Sequence, residues 1–136
     1  MDDIVLAFEA ITGGKPIAYY DDGKRILFVV DGKNVGKYIG KGGKNVKLLS
    51  TALKRDIYIA GYYEDPVQFI KSFYRELDIS EIVKEGNKYI VKINDRQQRA
   101  MAIGKEGWRI NLLNRALKEL YNASAEIFQP KEENQQ

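Results

Sequence analysis

Two short stretches decide the fold of this chain: Ile39-Gly40-Lys41-Gly42-Gly43 and Ile103-Gly104-Lys105-Glu106-Gly107. They lie 64 residues apart, and the similarity between them continues along the chain. Between residues 39–54 and 103–118, nine of the sixteen positions are identical, where chance would give about one. Internal repetition of this kind indicates two copies of one structural unit, each of about 65 residues.

The same order of elements is predicted around both glycine stretches: helix, strand, strand, short helix, glycine loop, longer helix, strand. For the first copy we predict a helix at 4–11, strands at 16–20, 24–30 and 57–60, a short helix at 34–39 and a longer helix after the glycines. For the second copy we predict a helix from Pro66 to about Leu77, strands at 79–83, 88–93 and 123–128, and helices at 96–103 and 108–121.

These elements predict an α+β fold with two domains, at residues 1–63 and 64–129, followed by a polar disordered tail at 130–136. In each domain we expect a three-stranded sheet with its helices packed on one face.

The composition argues against catalysis. The 136 residues include no Cys and no His, which excludes a thiolate nucleophile and removes the commonest general base and metal ligand. We therefore predict a protein that is not an enzyme, with no catalytic residues, no cofactor and no metal. Acids follow Met1 where a signal peptide needs bases, and the longest apolar run predicted as a strand, residues 26–30, is far too short to span a bilayer. A cytoplasmic protein without membrane contact is expected.

The charges are unevenly distributed along the chain, although the net charge is only +3. Residues 32–55 contain no acid and seven bases: Lys33, Lys37, Lys41, Lys44, Lys47, Lys54 and Arg55. This pattern indicates either a local anion-binding surface or an ordinary solvated helix face.

Both glycine stretches lie between a short and a long helix. Glycines three residues apart permit a sharp reversal and close approach of a ligand backbone, and the next helix presents free N–H groups and a positive dipole end. A lysine inside each loop adds a cation, which suits a sugar-phosphate backbone. The alternative is that the glycines only shape a helical hairpin. The spacing fits neither a phosphate-binding P-loop nor a dinucleotide-binding fingerprint.

The paired Ile-Gly-Lys-x-Gly loops, each within a strand–helix–loop–helix–strand core, resemble the KH domain, a module that binds single-stranded nucleic acid. An extra helix and strand precede each core, which is similar to the type II (prokaryotic) form. The tandem resembles the archaeal-type transcription termination/antitermination factor NusA family. This resemblance implies two type II KH domains, single-stranded RNA as the ligand (nascent transcript or ribosomal RNA) and RNA polymerase as a further partner.

The resemblance also places the RNA-binding residues. They are the two loops and their flanks: Ile39, Gly40, Lys41, Gly42, Gly43, Lys44, Lys47, Ile103, Gly104, Lys105, Glu106, Gly107, Trp108 and Arg109. Bases would lie in apolar grooves near Val35, Ile57 and Ile59, and near Ala100, Ala125 and Ile127, unless these side chains belong to the core.

The second loop departs from the first in ways that predict weaker phosphate binding. Glu106 repels phosphate, and we expect Arg109 and Arg99 to compensate. Trp108 either stacks on a base or anchors the helix start in the core.

The predicted function is therefore RNA binding that regulates transcription elongation, termination or antitermination. A KH-type factor in ribosome assembly or RNA processing is the nearest alternative. A protein-interaction scaffold and a nucleotide hydrolase are the alternatives from other classes.

Overall fold

Each copy of the repeat forms a three-stranded sheet with helices in the computed structural model, which describes residues 2–131. The chain divides into two compact units, one ending at Phe73 and the other beginning at Tyr74. This confirms the α+β class and the two sheets. Residues 132–136, most of the predicted tail, lie outside the described residues.

The first unit contains four helices and three strands among its described residues. In chain order these are α1 (Asp3–Thr12), β1 (Ala18–Asp21), β2 (Arg25–Asp31), a 3-10 turn (Gly32–Asn34), α2 (Val35–Ile39), a 3-10 turn (Lys41–Gly43), α3 (Lys44–Leu53), β3 (Asp56–Tyr62) and α4 (Pro66–Phe73). The second unit contains β4 (Ile79–Glu85), β5 (Lys88–Ile93), α5 (Arg96–Ile103), a 3-10 turn (Lys105–Gly107), α6 (Trp108–Tyr121) and β6 (Ser124–Ile127).

The two sheets have the same topology. In the first unit β2 is the central strand, antiparallel to β1 and parallel to β3, with Phe28 opposite Tyr19 on one side and Ile59 on the other. In the second unit β5 is central, antiparallel to β4 and parallel to β6. Because a parallel pair needs a crossover connection, the short helix, glycine loop and long helix of each unit supply it.

The core of the first unit lies between the sheet and helices α1 and α3. Ile26, Phe28 and Val30 alternate along β2 and pack with Phe8 of α1 and Leu49 of α3, all fully buried. The intervening Leu27 and Val29 are also fully buried, so the central strand β2 is covered on both faces and not on one face as predicted, because it is a continuous apolar run.

The second core follows the same plan with α5 and α6. Tyr89, Val91 and Ile93 of β5 are buried, and the intervening Ile90 is also buried at 7% exposure, so the burial of β5 is not a strict alternation. Facing them, α6 buries a stripe at helical spacing: Leu112, Leu113, Ala116 and Leu117. The glycine loop of each unit thus connects two helices that the sheet holds in place.

Helix α4 begins as predicted and ends earlier than predicted. Asp65 accepts a hydrogen bond from the Val67 N–H (2.9 Å), which is the capping interaction expected before Pro66. The helix stops at Phe73 and not near Leu77, because the next residues have partners that a continued helix would not reach. The buried Tyr74 donates its hydroxyl to the carbonyl of Ala102 (2.7 Å), and Glu76 accepts from Arg109.

Helix α4 is part of the first compact unit, whereas the repeat places residues 64–73 in the second copy. Its packing explains this position, since Ser72 accepts a hydrogen bond from the Gly61 N–H of the edge strand β3 (2.8 Å). Throughout residues 2–131, every helix is too short or too polar to cross a lipid bilayer.

Candidate nucleic-acid interface

The two glycine loops follow the same backbone path. The first glycine has φ/ψ of 81°/159° at Gly40 and 79°/160° at Gly104. The third loop position has 63°/21° at Gly42 and 59°/20° at Glu106. The last glycine of each loop then returns a hydrogen bond to the first: Gly43 N–H to Gly40 O at 3.0 Å, and Gly107 N–H to Gly104 O at 2.9 Å.

The first glycine of each loop is required by packing as well as by its backbone angles. Its φ and ψ lie in a region that is essentially restricted to glycine. A Cβ on Gly40 would also lie 3.0 Å from the backbone nitrogen of Asn45, and one on Gly104 would lie 2.7 Å from Cδ1 of Trp108. Each long helix therefore begins directly against the first glycine, which fixes the direction of its N-terminus.

The surface in front of each long helix is open to an anion. Neither α3 nor α6 has a side-chain cap at its N-terminus, so no side chain takes up the N–H groups there. A Cβ on Gly42 would meet nothing within 4 Å, and this residue is exposed. The helix dipole and the uncapped N–H groups therefore point toward a position that a phosphate group can reach.

Lysines surround the first loop. Lys41, Lys44 and Lys47 are exposed, and none of them forms an ion pair within the described part of the chain. Arg55 differs, because its guanidinium pairs with both carboxylate oxygens of Asp21 at 3.0 and 3.2 Å. These three lysines thus form an exposed cationic surface at the first loop, whereas Arg55 is neutralised by a partner in the fold.

The second loop carries less positive charge. Lys105 and Glu106 are neighbours and both are exposed, so their charges oppose each other at the loop surface. Trp108 is half-buried and its indole lies against Gly104. This position favours an anchoring role at the start of α6 over stacking on a base.

Arg109 and Arg99 correct the sequence prediction, because both are buried. The guanidinium of Arg109, with 4% of the residue exposed, donates from Nη2 to both oxygens of Glu76 (2.7 and 2.8 Å) and lies 5.0 Å from the Tyr74 ring centroid. Arg99 donates to the carbonyls of Ile93 and Asn94. A buried guanidinium held by these partners is not placed to reach an external phosphate, so the structure gives neither arginine a position from which to compensate for Glu106.

The predicted base grooves are mostly core. Ile57, Ile59, Ala125 and Ile127 are buried within their units. Of the groove residues, Val35 is half-buried and Ala100 is exposed. The flanking Ile39 is half-buried and packs against the first core. The structure therefore leaves the loops, α2, α5 and the starts of the long helices as the accessible parts of the predicted sites.

Leu48 and Thr51 are not among the predicted RNA-binding residues, although they lie beside the lysines on the outer face of α3. A signal was present, because Val46, Leu49 and Leu53 already define the core-facing stripe of this helix and Leu48 falls outside it.

Comparison with known proteins identifies two curated relatives with the same name. The "Probable transcription termination protein NusA" of Methanococcus vannielii is 35% identical over 108 residues, which cover 76% of this chain and 62% of that protein. The protein of that name from Methanocaldococcus jannaschii is 35% identical over 99 residues, covering 70% of this chain and 52% of that protein. The chain thus spans about half to three fifths of the length of these relatives. No family model matches the chain.

Among solved structures, the crystal structure of APE1850 superposes with a TM-score of 0.70 and covers 92% of this chain and 95% of its own. At 23% sequence identity this similarity establishes a shared fold.

Proposed function

We propose that this chain, a NusA-like protein of the KH type, binds single-stranded RNA through both glycine loops and regulates transcription elongation, termination or antitermination. In this proposal the chain contains two type II KH domains in tandem. It has no catalytic role, acts in the cytoplasm, and has nascent RNA as its ligand and RNA polymerase as its further partner.

The type II assignment is supported by the element order. Helix α1 and strand β1 precede the core β2–α2–loop–α3–β3 of the first unit. Helix α4 and strand β4 stand in the same order before the core β5–α5–loop–α6–β6. The extra helix and strand thus come before each core, as the type II resemblance implies.

The observation that carries the RNA-binding proposal is the recurrence of one backbone path at residues 40–43 and 104–107. One loop alone could serve only to join two helices. Two loops that keep the same positive φ angles, including the non-glycine Glu106 at 59°, retain a geometry that costs stability. A shared ligand explains this cost, because the open glycines and uncapped helix ends suit the backbone of a polynucleotide.

Binding in this arrangement depends mainly on phosphate contacts. KH loops clamp about four nucleotides of backbone. The exposed lysines around residues 41–47 neutralise phosphates and release condensed counterions, so the affinity falls with added salt. We expect the first loop to contribute more than the second, because Glu106 offsets Lys105.

The test is a variant in which all four inner residues of the two loops are Asp: Lys41→Asp, Gly42→Asp, Lys105→Asp and Glu106→Asp. Asp tolerates the left-handed conformation of positions 42 and 106, so the circular dichroism spectrum should stay native. Fluorescence anisotropy with labelled single-stranded RNA should show a loss of affinity of about 100-fold or more. The matched control is Lys71→Asp with Lys84→Asp, two exposed lysines outside the loops, which should retain most of the affinity. RNA binding by the loop variant at the strength of the control would contradict the proposal.

The transcriptional role is tested separately from RNA binding. Copurification of the tagged chain with RNA polymerase, together with a shift of terminator readthrough that the loop variant fails to produce, supports it. Copurification with ribosomal particles and no effect on transcription would instead indicate a role in ribosome assembly.

A further inference from the structure

The outer face of α3 forms a cationic surface with an apolar centre next to the first loop. Lys44, Lys47, Leu48 and Thr51 are spaced by three, four and seven residues, which places them on one face of the helix. With Lys41 and Gly42 of the loop they line a shallow depression of about 380 Å³. We call these six residues the α3 shelf.

Leu48 is the unusual member of the α3 shelf. It is 46% exposed, although its neighbour Leu49 is fully buried in the core. Leu48 lies outside the core-facing stripe of α3, which consists of Val46, Leu49 and Leu53. An exposed leucine flanked by lysines matches the chemistry of a nucleotide, which has an apolar base face and an anionic phosphate.

The corresponding face of the second unit differs in charge and in the exposure of its leucine. Residues Lys44, Lys47, Leu48 and Thr51 correspond to Trp108, Asn111, Leu112 and Arg115. Leu112 is only 1% exposed, so the leucine that is accessible in α3 is buried in α6. The shelf is therefore a property of the first unit and not of the repeat.

We infer that the α3 shelf is a second RNA subsite, which holds the nucleotides that follow those clamped by the first loop. A base lies over Leu48 and Thr51, and the adjoining phosphates contact Lys44 and Lys47. This inference rests on the proposed RNA-binding function and extends it from the loop to the helix surface.

The shape of the site favours RNA over an acidic protein segment. Lys41 and Gly42 belong both to the loop and to the shelf, so the two surfaces are continuous. A strand held at the loop therefore reaches the shelf without a second binding event. From Lys44 to Thr51 the shelf extends about 10 Å along the helix axis, in a straight line suited to an extended strand.

The experiment compares short and long RNA on the full chain. All proteins carry Lys105→Asp, which weakens the second loop and prevents longer RNA from gaining affinity there. Fluorescence anisotropy is measured with single-stranded RNA of about four and about eight nucleotides. The shelf variant is Leu48→Gln with Thr51→Gln, two exposed positions outside the predicted loop site, and glutamine is a good helix former, so thermal unfolding should be unchanged. The matched control is Leu6→Gln, an exposed leucine on α1.

The parent should bind the longer RNA more tightly than the shorter one. The shelf variant should keep the affinity for the short RNA and bind the long RNA about tenfold more weakly. The slope of its log affinity against log salt concentration should equal that of the parent, because Lys44 and Lys47 are unchanged.

Equal affinity of the parent and the shelf variant for the long RNA would overturn the inference. If the shelf variant then bound an acidic peptide more weakly than the parent does, the shelf would be a protein-binding surface and the inference would also be wrong. The two proposals, RNA binding by the loops and a second subsite on the α3 shelf, can be told apart. The loop variant should bind neither RNA, whereas the shelf variant should be weakened only for the long RNA. Failure of the parent to bind either RNA would overturn both.

Discussion

The loops at residues 40–43 and 104–107 differ by at most 4° in φ at their corresponding left-handed positions, yet their surroundings carry different charges. The first is accompanied by Lys41, Lys44 and Lys47, whereas the second pairs Lys105 with Glu106 and is followed by Trp108. The comparison teaches that the backbone path is set by the first glycine and by the helix that packs on it. The charge presented by that path is set independently, by side chains that point to solvent.

The largest effect expected from this comparison is on stability, at the first glycine of each loop. Gly104→Ala should lower the unfolding free energy by about 3 kcal/mol and Gly40→Ala by about 2 kcal/mol. Alanine tolerates the backbone angles of these positions poorly, and its added methyl group meets closer atoms at position 104 than at position 40. Chemical denaturation followed by circular dichroism measures the loss. Trp108 is the only tryptophan of the chain, so its fluorescence reports the second unit specifically.

Gly36→Ala is the control for these two substitutions, since a Cβ there meets nothing within 4 Å and the backbone is helical. It should leave stability unchanged or raise it slightly. Equal and small effects of all three substitutions would show that the loop path does not depend on the first glycine.

The next effect concerns Arg109, whose counterpart in the first unit is Asn45. Arg109→Lys should lower the unfolding free energy by about 2 kcal/mol, because a shorter, more strongly hydrated ammonium group would be buried there and would lose the stacking of the guanidinium on the Tyr74 ring. The RNA affinity of the folded protein should stay the same. Denaturation monitored by Trp108 fluorescence, with anisotropy on the same samples, measures both quantities.

Arg115→Lys, an exposed change on the same helix, is the matched control and should have little effect on stability. If Arg109→Lys left stability intact and weakened RNA binding, Arg109 would contact RNA as the sequence alone predicts.

The smallest effect is expected from exchanging the third residues of the two loops. Glu106→Gly removes a charge that repels phosphate, so the RNA affinity should rise severalfold. It also places glycine at a left-handed backbone position, so the free energy of unfolding of the second unit should rise by about 0.5–1 kcal/mol. Gly42→Glu should weaken RNA binding by a similar factor. Anisotropy titrations at two salt concentrations and Trp108 fluorescence measure these changes.

Glu106→Gln separates the two causes, because it removes the charge and keeps the strained backbone. It should improve RNA affinity without the gain in stability. An unchanged affinity in both Glu106 variants would mean that the second loop does not face RNA.

Most of the fold was predictable from periodicity and repetition. The strand at 88–93 and the helices at 96–103 and 108–121 agree with the structure at both ends, because alternation and apolar spacing extend through these elements. The end of α4 was not predictable, since it depends on a hydroxyl bond to Ala102 and an ion pair to Arg109, partners more than 25 residues away.

The site was predictable only where local sequence sets the geometry. The glycines and the lysines of the first loop lie where the repeat places them, because exposure follows from their position at a helical turn. Arg109 could not be assigned from sequence, since a charged residue that is buried reverses the usual preference. Leu48 could have been assigned to the outer face of α3 from the helical spacing of its neighbours, but its exposure also reverses the usual preference of leucine. Which face of a helix is covered depends on packing, and the repeat alone does not reveal that Leu48 and Leu112 differ.

The most direct measurement is a nitrogen-15 NMR titration of the full chain with single-stranded RNA. The account predicts that the amide signals of Gly42 and Gly43 shift at the lowest RNA concentrations, followed by those of Gly104 and Gly107 as the second loop is occupied. Amide signals of both loops that stay in place while other surfaces of the protein respond to RNA would contradict it.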